Sequence, residues 1–357
     1  MSADLAEVFP AGEMLAEELE ARDWTQADFA EILGRPAQFV SEIVSGKKEI
    51  TRESAAQIAA ALETSPQMWL NMQDRYHLAQ QARDEHAQEQ LTDVRLRARL
   101  KDLAPIAVMR QRGLLTGSTP SEQELELKAL YQIDSISDEP ELLLAARRSQ
   151  ANKSLSSTQL AWVACVRRAA GLVDTDEFNP EALEDLASRL TRVLTQPADF
   201  TKLPKLLAAV GVQLVFIEAF PGSKMDGCSL LVDGVPTIGI SGRGKRFDKV
   251  LFTLLHEIAH IRLGHLDEEG LVVDEQGASP TLGLEEPTDE IAAGWVLPKK
   301  FPATPERINQ GWVNSIAADQ GVHPIVIVGR LQNLKLIPWK TTLVKNAPSV
   351  LDQLAKW

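Results

Sequence analysis

The chain has 357 residues and a formal net charge of -13, from 37 Lys and Arg against 50 Asp and Glu. Its composition, 44% hydrophobic and 24% charged, is typical of a folded protein with roughly two or three domains and excludes a wholly disordered chain. No apolar run could cross a bilayer and only two cysteines are present, so we expect a cytoplasmic protein without membrane segments or a disulfide framework. Because the chain is acidic, any contact with nucleic acid must depend on a local basic patch.

The first 80 residues show short amphipathic helices separated by helix start and stop residues. Thr25 is a good N-cap for QADFAEIL, Pro36 can open AQFVSEIV, and Thr51 and Ser65 begin two further helices. We therefore predict an all-helical domain over residues 1–80. The pattern places these residues in its core: Phe29, Ala30, Ile32, Val40 and Ile43.

The segment TQADFAEIL-GRP-AQFVSEIVSGKK fits two helices joined by a short turn that contains glycine. This is the helix-turn-helix arrangement, in which the second helix enters a major groove of DNA. The residues predicted to contact DNA are Gln26, Arg35, Gln38, Ser41, Lys47, Lys48 and Arg52. The domain is nevertheless acidic, with six Lys and Arg against 14 Asp and Glu up to residue 80. A helical bundle that mediates dimerisation or partner binding is therefore the alternative interpretation.

Residues 12–76 resemble the XRE (Cro/CI-like) helix-turn-helix regulators and, more narrowly, the HigA-type antitoxins. The resemblance rests on GEMLAEELEARDWTQADFAEILGRP, VSEIVSGKKEIT and TSPQMWLNMQ. It implies a homodimer that binds a palindromic operator, with half-sites about one helical turn apart. It also implies a toxin or a repressor protein as a partner.

Helical patterns continue through residues 81–200, which we predict to form a helical connector that includes ELLLAARRSQ. From about residue 201 the pattern changes, because VQLVFIEAF and SLLVDGVPTIGIS are typical of strands and the Asp233-Gly234 pair predicts a hairpin. A helix over 247–264, an acidic loop and a helix over 288–296 should follow. We therefore predict an α+β domain over residues 201–340 and a C-terminal tail over 341–357.

The most specific motif of the chain is the HEIAH sequence in this α+β domain. His256 and His260 lie four residues apart, so on a helix both imidazoles can face one metal ion. Glu257 lies beside them, where its carboxylate could take a proton from water activated by that ion. This is the HExxH arrangement of zinc peptidases, and it predicts Zn²⁺ as the cofactor. The alternative is two histidines that form ordinary hydrogen bonds.

A catalytic zinc ion needs a third protein ligand and an open position for water. His265 stands one residue too early for the pattern in which a third histidine completes the site. Glu285 is a suitable ligand in a later helix, and Asp289, one turn further on, could hydrogen-bond a liganding imidazole. Glu286 and Glu290 are alternatives for the third ligand.

Much of the C-terminal half resembles the ImmA/IrrE family of metallopeptidase domains. The matching segments are LPKLLAAVGVQLVFIE, DGCSLLVDGVPTIGIS, FTLLHEIAHIRLGH and DEIAAGWVLP. The resemblance implies a zincin-like fold of the gluzincin type and a zinc-dependent peptidase that cleaves a repressor or a partner protein. The alternative is a non-catalytic antitoxin or repressor whose zincin-like domain only binds a partner or a ligand.

Three further features of the α+β domain lead to smaller expectations. The strand near residues 237–241 could bind an extended substrate by strand addition. Arg243, Lys245 and Arg246 form a basic loop that we expect to be solvated. His323 precedes a proline, and we expect it to cap or pack a helix rather than bind a metal.

Overall fold

The computed structural model describes residues 8–142, 155–266, 270–275, 285–297 and 301–357. The chain divides into two compact units, one up to residue 96 and the other from residue 97 onward. Within the described ranges, no helix is both long and apolar enough to cross a membrane.

The first unit is helical. Its helices are α1 (Ala11–Glu20), α2 (Gln26–Leu33), α3 (Ala37–Val44), α4 (Arg52–Leu62) and α5 (Pro66–Arg83), and α6 (Glu85–Leu103) begins in it. The predicted caps are present: Thr25 and Thr51 accept hydrogen bonds from the backbone N–H groups of Asp28 and Ser54. Gly34 ends α2 in the left-handed conformation that glycine adopts most easily.

The core of the first unit joins these helices around the fully buried side chains of Leu15, Phe29, Val40 and Trp69. One prediction was wrong, because Ile32 is 50% exposed. Its neighbours Ala30 and Leu33 are buried, so the buried face of α2 lies on one side of Phe29 and Ile32 lies on the other. The helix therefore buries a narrower face than the apolar pattern predicts.

The described residues of the second unit form helices and a small sheet. Its further helices are α7 (Ile106–Gln111), α8 (Pro120–Tyr131), α9 (Ser157–Ala170), α10 (Pro180–Val193), α11 (Leu203–Ala208), α12 (Phe247–Arg262), α13 (Glu285–Val296), α14 (Gln310–Gln320), α15 (Pro324–Asn333) and α16 (Leu351–Leu354). Short 3-10 helices cover Pro197–Lys202 and Thr342–Val344. The strands are β1 (Gln213–Phe216), β2 (Met225–Val232), β3 (Val235–Ile240) and β4 (Leu271–Glu275).

The four strands form a sheet in the order β1-β3-β2-β4. Strands β1 and β3 are parallel, and β2 pairs antiparallel with β3 and β4. The predicted hairpin is present, since Asp233 and Gly234 both have positive φ and join Val232 to its partner Val235. Strand β3 is paired along both edges, so the proposal that it binds a substrate by strand addition was wrong.

Helices cover both faces of the sheet, and two glycines allow their close approach. A Cβ at Gly239 would lie 2.7 Å from the side chain of Val166 in α9, and one at Gly227 would lie 2.9 Å from Thr253 in α12. Gly239 pairs with Cys228, the neighbour of Gly227 in β2. Because successive strand residues face opposite sides, α9 and α12 pack on opposite faces of the sheet.

Two local predictions in the second unit need correction. The segment after the HEIAH helix is not only a loop, because β4 lies in it and pairs with β2. The next helix, α13, begins at Glu285 rather than Thr288. Pro287 falls within its first turn, where the missing N–H has no helical partner to lose. Most of ELLLAARRSQ lies outside the described residues.

Candidate functional site

The predicted DNA-binding residues lie around α2 and α3 of the first unit. Their side chains are exposed except that of Arg35, which is half-buried. The buried side of α3 carries Val40 and Ile43, which hold the helix against the core. The opposite side, with Gln38 and Ser41, therefore faces solvent. The fold leaves this face available to a ligand.

Carboxylates share this surface with the cations. Arg35 forms an ion pair with Glu53, and its Nε donates to Gln57 Oε1 at 3.1 Å. Lys48 Nζ lies 3.4 Å from Glu42 Oε2, and Gln38 donates to the other oxygen of that carboxylate at 2.7 Å. A phosphate group would therefore compete with these acidic partners for both cations.

The aromatic ring of Phe39 connects the two cations. The guanidinium of Arg35 lies 5.3 Å from the ring centroid, and Lys48 Nζ lies 5.0 Å from it. Contacts of this kind attract a cation to the face of the ring. Phe39 thus keeps the positive charge of Arg35 near the start of α3 and that of Lys48 near its end.

In the second unit, α12 and α13 bring together His256, His260 and Glu285. One nitrogen from each imidazole and one carboxylate oxygen lie within 4.8 Å of one another. His256 Nε2 is 3.0 Å from His260 Nε2 and 3.3 Å from Glu285 Oε2. Both histidines are buried. Two imidazole nitrogens and one carboxylate oxygen are the ligand set of many catalytic zinc sites.

The other nitrogen of each imidazole has its own partner. His256 Nδ1 lies 3.0 Å from Asp289 Oδ1, the contact expected from the spacing of Glu285 and Asp289. His260 Nδ1 lies 2.8 Å from Nδ1 of His265. If both Nδ1 atoms donate their protons to these partners, both Nε2 atoms are free to bind a metal.

Desolvation keeps the second histidine neutral. Burial, with smaller effects of His256 and His265, lowers the pKa of His260 to about 2. A neutral imidazole is the form that binds a metal ion. The alternative ligands Glu286 and Glu290 are exposed, and neither belongs to the group that the described residues form.

Glu257 is fully buried between α12 and the sheet. The hydroxyl of Ser229 in β2 lies 2.6 Å from Glu257 Oε2, and it donates to that carboxylate oxygen. A Cβ at Gly227 would lie 2.4 Å from the other oxygen, Oε1. Strand β2 therefore supplies both a hydrogen bond and the space that this carboxylate occupies.

Sequence reasoning missed the roles of His265, Ser229 and Gly227. The sequence suggests His265 only as a possible third zinc ligand, whereas in the structure it lies against Nδ1 of His260. Ser229 and Gly227 precede Glu257 by 28 and 30 residues, and no local pattern connects them to it. Only the packing of α12 on β2 brings Ser229 and Gly227 to Glu257.

The expectations for the basic loop and for His323 have different outcomes. The prediction that the basic loop is solvated was wrong for Arg246, which binds Asp248 through two hydrogen bonds of 2.6 and 2.7 Å and also donates to Gln332. His323 is a helix cap, as predicted, because its Nδ1 accepts from the backbone N–H of Ile325 at 3.1 Å.

A cavity of about 330 Å³ opens beside the group of His256, His260 and Glu285. His256, Glu285 and Asp289 form part of its wall. Most of the remaining wall comes from α12, α15 and the segment that follows α15, with Asp226 of β2 and Val296 of α13 also part of it. It includes Phe252, Arg330 and Trp339. The group therefore faces a space large enough for part of a peptide.

Comparisons with known proteins match the first unit. A family model described as Helix-turn-helix matches residues 15–69. An uncharacterised HTH-type transcriptional regulator of Haemophilus influenzae is 35% identical over 85 residues, which are 24% of this chain and 79% of that protein. The uncharacterised HTH-type transcriptional regulator YddM of Escherichia coli is 30% identical over 69 residues, 19% of this chain and 73% of that protein.

A solved structure, the Pseudomonas aeruginosa antitoxin HigA with higBA promoter, is 32% identical and covers 21% of this chain and 82% of that chain, with a TM-score of 0.20. The two regulators are each matched over more than two thirds of their length at 30% identity or more. The residues matched by the family model include α2 and α3. Through its N-terminal unit, this chain belongs to the family of HTH-type transcriptional regulators.

Proposed function

We propose that this chain is a transcriptional regulator that binds operator DNA as a homodimer and carries a zincin-like, zinc-dependent peptidase domain that cleaves a repressor or a partner protein. Membership of the HTH-type regulators supports the DNA-binding part. The observation that carries the peptidase part is the convergence of His256, His260 and Glu285 next to the buried Glu257.

The exposed face of α3 supports a specific rather than a general mode of DNA binding. Gln38 and Ser41 can reach base edges, while Lys47, Lys48 and Arg52 can reach phosphates. Non-specific affinity should be weak because two of the cations of this surface already have carboxylate partners. Two copies on adjacent half-sites would double the number of base contacts, which is why we propose a dimer.

A footprint on the promoter of the chain's own gene tests the DNA-binding part. We expect protection of two half-sites separated by about one helical turn of DNA. Unchanged mobility of that DNA at low salt would contradict the proposal, because low salt strengthens phosphate contacts.

The residues around the HEIAH motif fit a zinc ion. His256 Nε2, His260 Nε2 and a carboxylate oxygen of Glu285 would hold it, and three protein ligands leave one position open. Asp289 and His265 would orient the two imidazoles through hydrogen bonds to their Nδ1 atoms. Zinc supplies Lewis acidity there, which lowers the pKa of water and polarises a peptide carbonyl.

Glu257 is the proposed general base and acid. Its carboxylate takes the proton of the attacking water and then delivers it to the amine that leaves when the peptide bond breaks. Ser229 keeps the carboxylate in one orientation through its hydrogen bond to Oε2. Burial of Glu257 keeps bulk water from competing for the proton.

The substitution Glu257→Gln tests the peptidase part, because it removes the base and keeps the size of the side chain. We expect the variant to retain about one zinc per chain and to lose cleavage of a co-expressed partner by roughly 10²- to 10⁴-fold. Unchanged biological output would instead make the domain a module that only binds a partner. Less than about 0.2 zinc per chain after zinc-replete expression would contradict the metal site.

A further inference from the structure

The cavity beside the candidate metal centre has an unequal distribution of charge. Its wall carries four carboxylates and three cations, all on described residues: Asp226, Asp248, Glu285, Asp289, Arg246, Lys249 and Arg330. Glu285 and Asp289 both lie against His256, on the side of the candidate metal centre. The charges on the rest of the wall therefore decide what the cavity can bind away from that centre.

One of these cations is neutralised within the wall. Arg246 forms two hydrogen bonds with the buried carboxylate of Asp248, and α15 packs closely over the pair. A Cβ at Gly329 would lie 2.3 Å from Asp248 Oδ2, so glycine is needed at this crossing. The pair is a rigid and neutral part of the wall.

Asp226 has a cationic partner of its own. Its Oδ1 lies 3.6 Å from Nη1 of Arg243. Burial raises the pKa of Asp226, and the charges of Arg243 and Lys249 act against that effect. Asp226 thus pairs with Arg243, a residue outside the cavity wall, and Lys249 is not its only cationic neighbour.

Arg330 has no carboxylate partner among the described residues. Its half-buried guanidinium donates to the amide oxygen of Asn333 at 3.2 Å, and both residues line the cavity. Burial lowers the pKa of Arg330, although an arginine remains charged in proteins. A partly desolvated guanidinium with donors to spare is a strong site for a carboxylate, since it can form two parallel hydrogen bonds.

Lys249 and Trp339 form the outer part of the same wall. Lys249 Nζ lies 5.4 Å from the centroid of the Trp339 ring, and the ring is 60% exposed. Leu251, Phe252 and Val326 add apolar surface to the same wall. The wall therefore combines an apolar lining with two cations, as sites for small acidic groups commonly do.

We propose that this cavity is a substrate subsite that binds a carboxylate of the peptide, with Arg330 as the main donor and Lys249 as a second cation. The proposal rests on the peptidase function proposed above, because the cavity shares His256 and Glu285 with the candidate metal centre. The carboxylate can come from an acidic side chain next to the cleaved bond or from the C-terminus of the substrate. Both sources offer the same group to the guanidinium.

Binding of short peptides to the full chain tests the proposal without relying on cleavage. The protein carries Glu257→Gln and is prepared both with zinc and with EDTA. The probes are acetylated five-residue alanine peptides with an uncharged fluorescent label: one with a central Glu and an amidated end, one with a central Gln and an amidated end, and one with a central Gln and a free C-terminus. Fluorescence anisotropy gives the dissociation constants.

We expect at least one carboxylate peptide to bind about tenfold more tightly than the neutral peptide, and Arg330→Gln to remove this preference. Arg189→Gln is the matched control, because Arg189 is exposed on α10 and does not line the cavity. The substitution changes the net charge of the chain by the same amount as Arg330→Gln. Preference for the central Glu indicates an acidic side chain, and preference for the free end indicates the C-terminus. A fourth peptide, with a central Lys and an amidated end, should bind Arg330→Glu more tightly than the neutral peptide does, which damage to the fold would not produce.

Equal binding of all three peptides would overturn the proposal, as would an equal effect of Arg189→Gln and Arg330→Gln. Binding measured with the EDTA-treated protein distinguishes failure of the subsite from failure of the proposed peptidase function. If the chain binds no zinc, the peptidase proposal fails, while a carboxylate preference that depends on Arg330 still supports the subsite.

Discussion

The two units of this protein present their candidate functional residues in opposite ways. In the first unit, the residues predicted to contact DNA are mostly exposed, and two of their cations, Arg35 and Lys48, pair with Glu53 and Glu42. In the second unit, His256, Glu257 and His260 are buried, and each has a partner from another segment of the fold. The exposed site depends on many weak contacts, whereas the buried site depends on a few well-positioned atoms.

This difference predicts how each site responds to substitution. Exposed charges act in water, where salt screens them and one ion pair contributes little. Buried groups cannot exchange a lost partner for water, so the loss of one hydrogen bond or a small displacement has a large effect. Four substitutions test this contrast.

Gly227→Ala should have the largest effect, on cleavage. The new Cβ would lie 2.4 Å from Glu257 Oε1, so the carboxylate has to move. We expect cleavage to fall by about 100-fold while the zinc content stays the same, because a displacement of about 1 Å has this effect on catalytic groups. Gly294→Ala in α13 is the control, since nothing lies within 4 Å of its Cβ. Full activity of the Gly227 variant would contradict the placement of Glu257.

His265→Ala should weaken zinc binding by about 10- to 100-fold, because the outer nitrogen of His260 loses its partner. Competition with a chromophoric chelator measures the affinity. His265→Asn should restore part of it, since its amide oxygen can accept the same hydrogen bond. An unchanged zinc affinity for the alanine variant would show that His265 only packs against the site.

Lys47→Ala should weaken operator binding by roughly threefold to tenfold and lower the salt dependence of the affinity by about one charge. The reason is that Lys47, an exposed lysine just after α3, would provide a single phosphate contact in the proposed complex. Mobility shifts at several salt concentrations measure both quantities. Arg75→Ala removes the same charge from the exposed surface of α5 and should leave them unchanged.

Thr25→Ala should have the smallest effect, a loss of about 1 kcal/mol of local stability in α2, because the helix loses its N-cap. Amide hydrogen exchange of α2 and α3 measures the loss, and Thr25→Ser should avoid it. Zinc affinity should be the same in all three proteins. A change in zinc affinity would show that the two sites are coupled.

Local sequence patterns predicted the helices of the first unit and the hairpin of the second. Caps at Thr25 and Thr51, the left-handed Gly34 and the Asp233-Gly234 turn act within a few residues, so their effect can be read along the chain. Which side of α2 is buried was less predictable from the sequence. Ile32 is exposed because the arrangement of the neighbouring helices determines which part of the apolar face of α2 they cover. Likewise, β4 was missed because its pairing with β2 is not local.

For the candidate metal centre, the sequence alone determined that His256 and His260 share a helix face and that Glu257 lies next to them, because the period of the helix dictates this spacing. Spacing also pointed to Glu285 and Asp289. Only the tertiary structure decided the surroundings of these residues: His265 behind His260, Ser229 and Gly227 against Glu257, and Arg330 in the adjoining cavity. His265 follows the end of α12 by three residues, whereas Ser229, Gly227 and Arg330 come from segments far apart in the chain, and packing of α12 against β2 and α15 brings them together.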